Sequence, residues 1–596
     1  MPKIGAGRGP GLTLVAGLGA ALPVIVSTIR GLHEGATPTG DRAIIATRAY
    51  DVFSTHTPLV GQFSASSVLY KHVIHSLGPL LYWLLALPAR FGSPATPAVA
   101  IALVNVLAIL GTVALARRRG GVALMLAAAV AVALMCRSLA PQTLHDIWNP
   151  SAGLLPFTLL IFLCWSLACG EHRLLPLAVL VASFTAQCEL VFLAPSAGML
   201  AVGIAGLAVS HRAERKAARP GPVGASATPA GGSGNGNSER RRSTRRWWLA
   251  ALLVGLVCWS GPIVDEIRGH PGNLTLVARA AFSHGQTLGA TAGWRAVVRA
   301  VGIPPWWLTA PSDPFSRLSD VRSAPGELAV ISCVALLCAL LVVALIGLRR
   351  RRRDVSAGAL IGLVLCLSLA AVTSSTPTRS SLVKSLGYTL WFGSPAGMWV
   401  WLVLGWSTAT LYGARLRRVA RTGAGRLVSE RAARLPRVRT RAPTIAASLG
   451  LAAALAVGAA VASGQGPDQD QPEYTPVKTV NAAVDRALAP TDHTVLVTGS
   501  HSFTAFDFRA AVIYDLRRRG LRVVAPAASV RLGAYYEPDG RTPDASVYVF
   551  DERSPPRRGR VIARVSFGRA PRKTITVMLA PAGRRPAPAR RRRVAP

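Results

Sequence analysis

Long runs of Ala, Leu and Val alternate along this chain with short polar segments dense in arginine. The runs at 11–30, 94–116, 121–137, 151–169, 174–191, 194–210, 247–264, 327–348, 354–373, 391–414 and 443–463 each come near the roughly 20 apolar residues a helix needs to cross a bilayer. They predict eleven membrane spans. The first run is too long for a signal-peptide core and has no convincing cleavage site, so it counts as a span. A further apolar stretch, 78–92, opens Gly78-Pro79-Leu80-Leu81-Tyr82-Trp83. The basic blocks decide how to read it: Arg117 to Arg119, Arg240 to Arg246, Arg349 to Arg353 and Arg415 to Arg441. With the N-terminus inside and 78–92 not crossing, every block falls on the cytoplasmic side, as the positive-inside bias requires. A crossing at 78–92 would put the last two blocks outside, so the stretch is expected in the outer interface.

After 463 the pattern changes. Val495–Gly499 reads as a strand, Phe506–Arg519 as a helix stopped by Gly520, and Leu521–Val524 as a second strand, the beginning of a βαβ unit. Ala545–Phe550 and Val561–Phe567 add strands. The expected organisation is an α-helical polytopic membrane domain over 1–463, an extracytoplasmic α/β domain over 464–575, and a disordered basic tail over 576–596. Loop 211–246, rich in Gly, Ser and Ala with basic ends, reads as a disordered cytoplasmic linker.

Composition agrees: 51% of residues are hydrophobic and 16% charged, too apolar for a string of soluble domains. The net charge of +40 would suggest nucleic acid, but the arginines sit between apolar runs and no nucleic-acid motif accompanies them. The eight cysteines all fall in or beside apolar runs; they form no metal spacing and no disulfide framework.

Candidate chemistry lies in the segments expected outside. Asp41 follows Thr37-Pro38-Thr39-Gly40 and opens an amphipathic segment running to Phe53. Exposed N–H groups at a helix start favour an ionised carboxylate there, and a simple capping role fits equally well. Asp146 sits in Leu144-His145-Asp146-Ile147-Trp148-Asn149-Pro150, a turn that could equally anchor an interfacial Trp. Glu189, with Gln187, stands at the outer end of a span, where a charge usually faces a cavity or a partner. His72, His75, Asp265, Glu266, Arg268, Arg295, Arg379 and Lys384 also face outward. The cations among them could hold a phosphate, arginine by paired hydrogen bonds, or be solvated loop charges.

A long first outer loop with Asp41 on an amphipathic helix, an apolar segment opening Gly78-Pro79-Leu80-Leu81-Tyr82-Trp83, and Asp146 in the next outer loop together resemble the GT-C glycosyltransferases. The nearest branch holds aminoarabinose transferases, protein mannosyltransferases and related bacterial enzymes that use polyprenyl-phosphate sugars. The likeness covers about residues 1–200 and is one of layout. Members often carry Asp-Glu at the first site, where this chain has Asp41-Arg42.

The resemblance implies an inverting membrane glycosyltransferase in a bacterial cell membrane. A polyprenyl-phosphate-linked sugar would be the donor and an extracytoplasmic glycan, lipid or protein the acceptor. Asp41 would be the general base, and Asp146 a second catalytic residue that positions the acceptor or holds a divalent cation such as Mg or Mn. His75, His145, Glu189, Arg295, Arg379 and Lys384 would bind substrate. A flippase for a lipid-linked saccharide, or a non-enzymatic envelope-assembly protein, would share the spans.

Overall fold

In a computed structural model the described residues are 9–64, 67, 72–217, 234–281, 285–310, 317–378, 386–423, 442–527, 530–551, 559–568 and 571–581. The helices in chain order are α1 (Gly9–His33), α2 (Gly40–Tyr50), α3 (Leu80–Arg90), α4 (Thr96–Arg137), α5 (Asn149–Ala168), α6 (Leu175–Cys188), α7 (Leu193–Ala217), α8 (Gly234–Arg268), α9 (Asn273–Ala281) and α10 (Gly289–Val301). They continue with α11 (Arg317–Arg322), α12 (Glu327–Arg349), α13 (Arg353–Ser375), α14 (Gly393–Gly423), α15 (Ala442–Ser463), α16 (Gln471–Ala487) and α17 (Phe503–Arg518). Strands β1 (Thr494–Gly499), β2 (Arg522–Val524), β3 (Ala545–Asp551), β4 (Arg560–Phe567) and β5 (Lys573–Pro581) complete the chain.

Eight helices among the described residues are long and apolar enough to cross a membrane, against eleven expected spans. The protein is a polytopic helical membrane protein with a small C-terminal α/β region. Two expected spans are joined in α4, which breaks at Gly120 and at Gly121 with φ +69°. The expected span 174–191 becomes α6, only 14 residues long, about 21 Å. Expected span 391–414 falls in α14, whose Gly, Ser and Thr residues dilute its apolar character. Helix α3 has 11 residues, about 16 Å long against a hydrocarbon core of about 30 Å.

The chain divides into two compact units. The first comprises 1–29, 59–81 and 101–467 and holds the long apolar helices. Its core is built on α5, where Phe162 and Trp165 meet Trp399 edge-on at 5.0 and 5.3 Å between ring centroids. Each indole finds an acceptor: Trp165 Nε1 donates to the Asp354 carbonyl at 2.7 Å and Trp399 Nε1 to the Gly358 carbonyl at 3.0 Å. That removes the cost of burying an unpaired donor. Helices α1 and α15 cross backbone to backbone at glycine, since a Cβ on Gly458 would lie 2.0 Å from the Gly19 carbonyl oxygen.

The second unit comprises 30–58, 82–100 and 468–596. The expected C-terminal domain is therefore completed by two segments from before α5, 30–58 and 82–100. Its sheet has the order β2-β1-β3-β5-β4. Strand β1 runs parallel to β2 and β3, while β5 is antiparallel to both β3 and β4. The βαβ start expected from the sequence is β1-α17-β2. Two elements were unforeseen: α16, and β5, which places Lys573–Pro581 inside the sheet rather than in a disordered tail from 576. Ile575, Thr576, Val577 and Met578 are all buried, a continuous run that suits a strand inside the sheet. Residues 218–233 of the expected linker and the tail beyond 581 lie outside the described residues, while 211–217 and 234–246, expected as linker, are the ends of α7 and α8.

Candidate functional site

The segment from Ser138 to Ser151 joins α4 to α5 and concentrates buried polar groups: Ser138, Gln142, Thr143, His145, Asp146, Asn149 and Ser151. A short 3-10 turn, Pro141–Leu144, swings the chain into His145. Asp146 then folds back on its own backbone. Its Oδ1 accepts the Trp148 N–H at 3.0 Å and its Oδ2 the Ser151 hydroxyl at 3.2 Å, an Asx turn leading into α5. Asn149 donates from Nδ2 to Glu189 Oε2 at 2.6 Å and to the Cys188 carbonyl at 2.9 Å. Glu189 is extended backbone where α6 ends, and its Oε1 accepts the Leu190 N–H. Asp146 and Glu189 are thus gathered at the start of α5, where a helix N-terminus favours negative charge.

His145 joins the same cluster through its Nδ1, 3.0 Å from Ser27 Oγ. The Ser27 hydroxyl donates to the Pro141 carbonyl at 2.7 Å. With its one proton committed, Ser27 accepts from His145, so Nδ1 carries a proton.

The other side of the same segment lines a small pocket with Ser138, Leu139, Ala140, Thr143, Arg317, Trp391 and Ser394. Arg317 is the notable member, being only 5% exposed. Its guanidinium donates to the carbonyls of Trp306 (3.2 Å) and Thr309 (3.0 Å) and stacks on the Trp306 ring at 5.1 Å. Among the described residues, Asp320 places a carboxylate 3.9 Å away. Burial pushes the Arg317 guanidinium down to about 10, partly offset by Asp320, which leaves it charged at neutral pH. A desolvated cation flanked by the hydroxyl residues Ser138, Thr143 and Ser394 is chemically suited to an anion.

Other expected residues are placed differently. Arg295 on α10 donates to the Arg322 carbonyl at 2.6 Å, capping the end of α11. His75 exchanges two hydrogen bonds with Asn273 through its backbone, at 2.9 and 3.1 Å. Arg379 and Lys384 lie outside the described residues. No group of three or more His, Cys, Asp or Glu side chains able to hold a metal ion occurs among the described residues.

Asp41 belongs to the second unit. It stands in the first turn of α2, with Thr39 at the N-cap; capping is therefore not its task, although the helix dipole favours its ionised form. Around this turn lie residues of the C-terminal domain. Arg42 pairs with Asp470 at 2.8 Å, and Asp507 of α17 lies against Gly40, where an added Cβ would be 2.3 Å from its Oδ1. Gly40 also has φ +49°, so both conformation and space call for glycine. At the far end of α2, Asp51 is fully buried. It accepts from Arg517 Nη2 (3.0 Å) and the Tyr536 hydroxyl (2.7 Å), with His56 Nε2 at 3.1 Å and Arg48 Nη1 at 3.4 Å.

Crowded carboxylates make this unit pH-sensitive. Burial and then Asp470 push the Glu473 carboxyl up to about 7, against Lys573 and Arg42. Burial, Glu473, Asp470 and Asp41 raise Asp507 in the same direction. The folded state therefore holds protons that the unfolded chain has released between about pH 4.5 and 7. Stability from this source is full below about 4.5 and is lost as pH rises through about 7. Hydrogen exchange in α16 and α17 should show the unit less stable at pH 8 than at pH 5, by about 1–3 kcal/mol, and Glu473→Gln should flatten that dependence.

No family model and no curated protein matches the chain. Solved structures are similar to it, among them the following two. One is ArnT from Cupriavidus metallidurans in the apo state, at 13% identity and TM-score 0.45, covering 94% of this chain and 97% of that one. The other is the archaeal oligosaccharyltransferase AglB from Archaeoglobus fulgidus, in complex with an inhibitory peptide and a dolichol-phosphate. It matches at 14% identity and TM-score 0.33, covering 85% of this chain and 64% of that one.

Sequence reasoning missed Arg317, Ser27 and Asp51. Arg317 looked like any loop charge, and only its partners make it a buried one. Asp51 was visible within the amphipathic segment 41–53, where helical spacing puts it ten residues from Asp41, but its partners are remote in sequence.

Proposed function

We propose that this chain is a membrane glycosyltransferase that moves a sugar from a polyprenyl-phosphate donor to an extracytoplasmic acceptor with inversion. The observation that carries the reading is the segment 138–151. It lines a pocket containing the buried guanidinium of Arg317 on one side and gathers Asp146, His145 and Glu189 on the other. A cation for a lipid phosphate and acidic groups for an incoming hydroxyl are the two demands of such a transfer.

In the step, Asp41 takes the proton of the acceptor hydroxyl as its oxygen bonds to the anomeric carbon. The bond from that carbon to the phosphate oxygen breaks, and its electron pair leaves with the polyprenyl phosphate. Phosphate is a good leaving group, so no general acid is needed. Attack opposite the leaving group inverts the centre. Within the first unit, Arg317 has the chemistry for a lipid phosphate and Asp146 that for a hydroxyl. The proposal contains no metal step.

Membrane topology supports an outer site. Residues 30–58, 82–100 and 468–581 fold in one unit, which supports reading the short α3 as non-crossing, and the charge bias favours the outside for this unit.

The test is an assay of purified protein with a panel of polyprenyl-phosphate sugars. Release of polyprenyl phosphate coupled to glycosylated acceptor is expected, unchanged by a chelator. Arg317→Gln should raise the donor KM about tenfold or more, the worth of a charge-assisted hydrogen bond. Movement of intact donor across vesicles without cleavage would instead make the protein a flippase.

A further inference from the structure

Helix α2 is held along its length by the C-terminal domain. At its first turn Arg42 pairs with Asp470 at 2.8 Å, and Asp507 abuts Gly40. Its body packs along α17, with Ala43, Ile44, Ile45, Ala46 and Ala49 buried. At its end Asp51 receives Arg517 and the Tyr536 hydroxyl, and His56 stacks flat on Tyr535 at 3.5 Å. Little of this is solvated surface pairing: Asp51 is fully buried, Arg517 is 8% exposed and Tyr536 is fully buried. A fully buried carboxylate with several donors has one geometry that satisfies them all, and moving it strands every partner. The restraint on α2 is therefore sharp in direction and position.

We infer that the C-terminal domain serves as a splint for α2, and that Asp51, Arg517 and Tyr536 are positioning residues that set where Asp41 is held. The inference rests on the reading of Asp41 as the base. It assigns the domain a part in the transfer itself rather than a separate binding task. A rigid mount matters because a displacement of about 1 Å at a reacting group can cost about a hundredfold in rate.

Tyr536→Phe is the test variant, since it deletes one hydroxyl 2.7 Å from Asp51 and adds no volume; Arg517→Lys, which keeps the charge but loses the planar fork, is its companion. In full-length protein reconstituted in nanodiscs, amide exchange across residues 40–50 should speed up at least tenfold in each variant. Exchange in α12 and α13 should stay unchanged. In the polyprenyl-phosphate sugar assay kcat should fall tenfold or more with the donor KM unaltered, a split that general unfolding would not give. Asp41→Asn is assayed alongside. Full activity in Asp41→Asn would sink the base assignment, while the exchange result would still judge the splint. Wild-type exchange over 40–50 together with wild-type kcat in a folded Tyr536→Phe protein would overturn the inference. Should Arg517→Lys not fold, the Tyr536→Phe result decides.

Discussion

Asp41→Asn is expected to lower sugar transfer by about 10²–10⁴-fold, the usual contribution of a general base. Asn is isosteric and cannot take a proton, so the change isolates the chemistry. Asp41 sits in the first turn of α2 after the N-cap Thr39, where the loss of a charge weakens the helix only slightly, by about 0.3–1 kcal/mol. Exchange in α2 and the melting of the second unit should therefore stay near wild type while kcat collapses. The same variant should leave donor binding intact, because Asn keeps the size of Asp41 and the carboxylate is assigned to proton transfer rather than to the phosphate. Steady-state kinetics with a fixed polyprenyl-phosphate sugar would show it: a fall confined to kcat supports the base, and retained kcat removes Asp41 from the mechanism.

The second large effect is expected on stability. Arg517→Ala should destabilise the second unit by about 3–5 kcal/mol, the cost of leaving a buried charge without its partner. Asp51 would keep Tyr536, Arg48 and His56. Burial holds His56 below its ordinary value against the pull of Asp51, so the ring is a reluctant replacement for a permanent cation. Removing both charges together, as in Asp51→Leu with Arg517→Met, should restore much of the loss, because the penalty belongs to the stranded ion. Limited proteolysis within 30–58 and 468–551 is the readout, with the long helices of the first unit as internal control. An Arg517→Ala protein as resistant as wild type would show that Asp51 does not depend on this pair.

How far the sequence could be read depends on the range of the forces involved. Crossing helices are local objects: about 20 apolar residues declare them, and α1, α5, α12 and α13 fall where the runs predict. The strand-helix-strand start was equally local, with Gly520 marking the helix end. The division into units was not legible, because Asp51 and Arg517 are 466 residues apart and neither carries a mark of its partner. Asp146 and Glu189 were legible as carboxylates out of place in apolar surroundings. That they meet through Asn149 was not, since it depends on how α5 and α6 pack. Arg317 fails for the opposite reason: in a segment of ordinary loop composition, nothing distinguishes a cation that will be buried from one that will be solvated.

The long separation across the second unit also has a consequence for biosynthesis. At about 5–20 residues per second, residue 517 leaves the ribosome roughly half a minute to a minute and a half after residue 51. Over that interval the segment 30–58 is already translated, with its acidic anchor waiting for a counter-ion not yet made. Newborn chains thus pass through a stage in which every span can be inserted while this segment has no mould to fold against, and residues 468–551 close it.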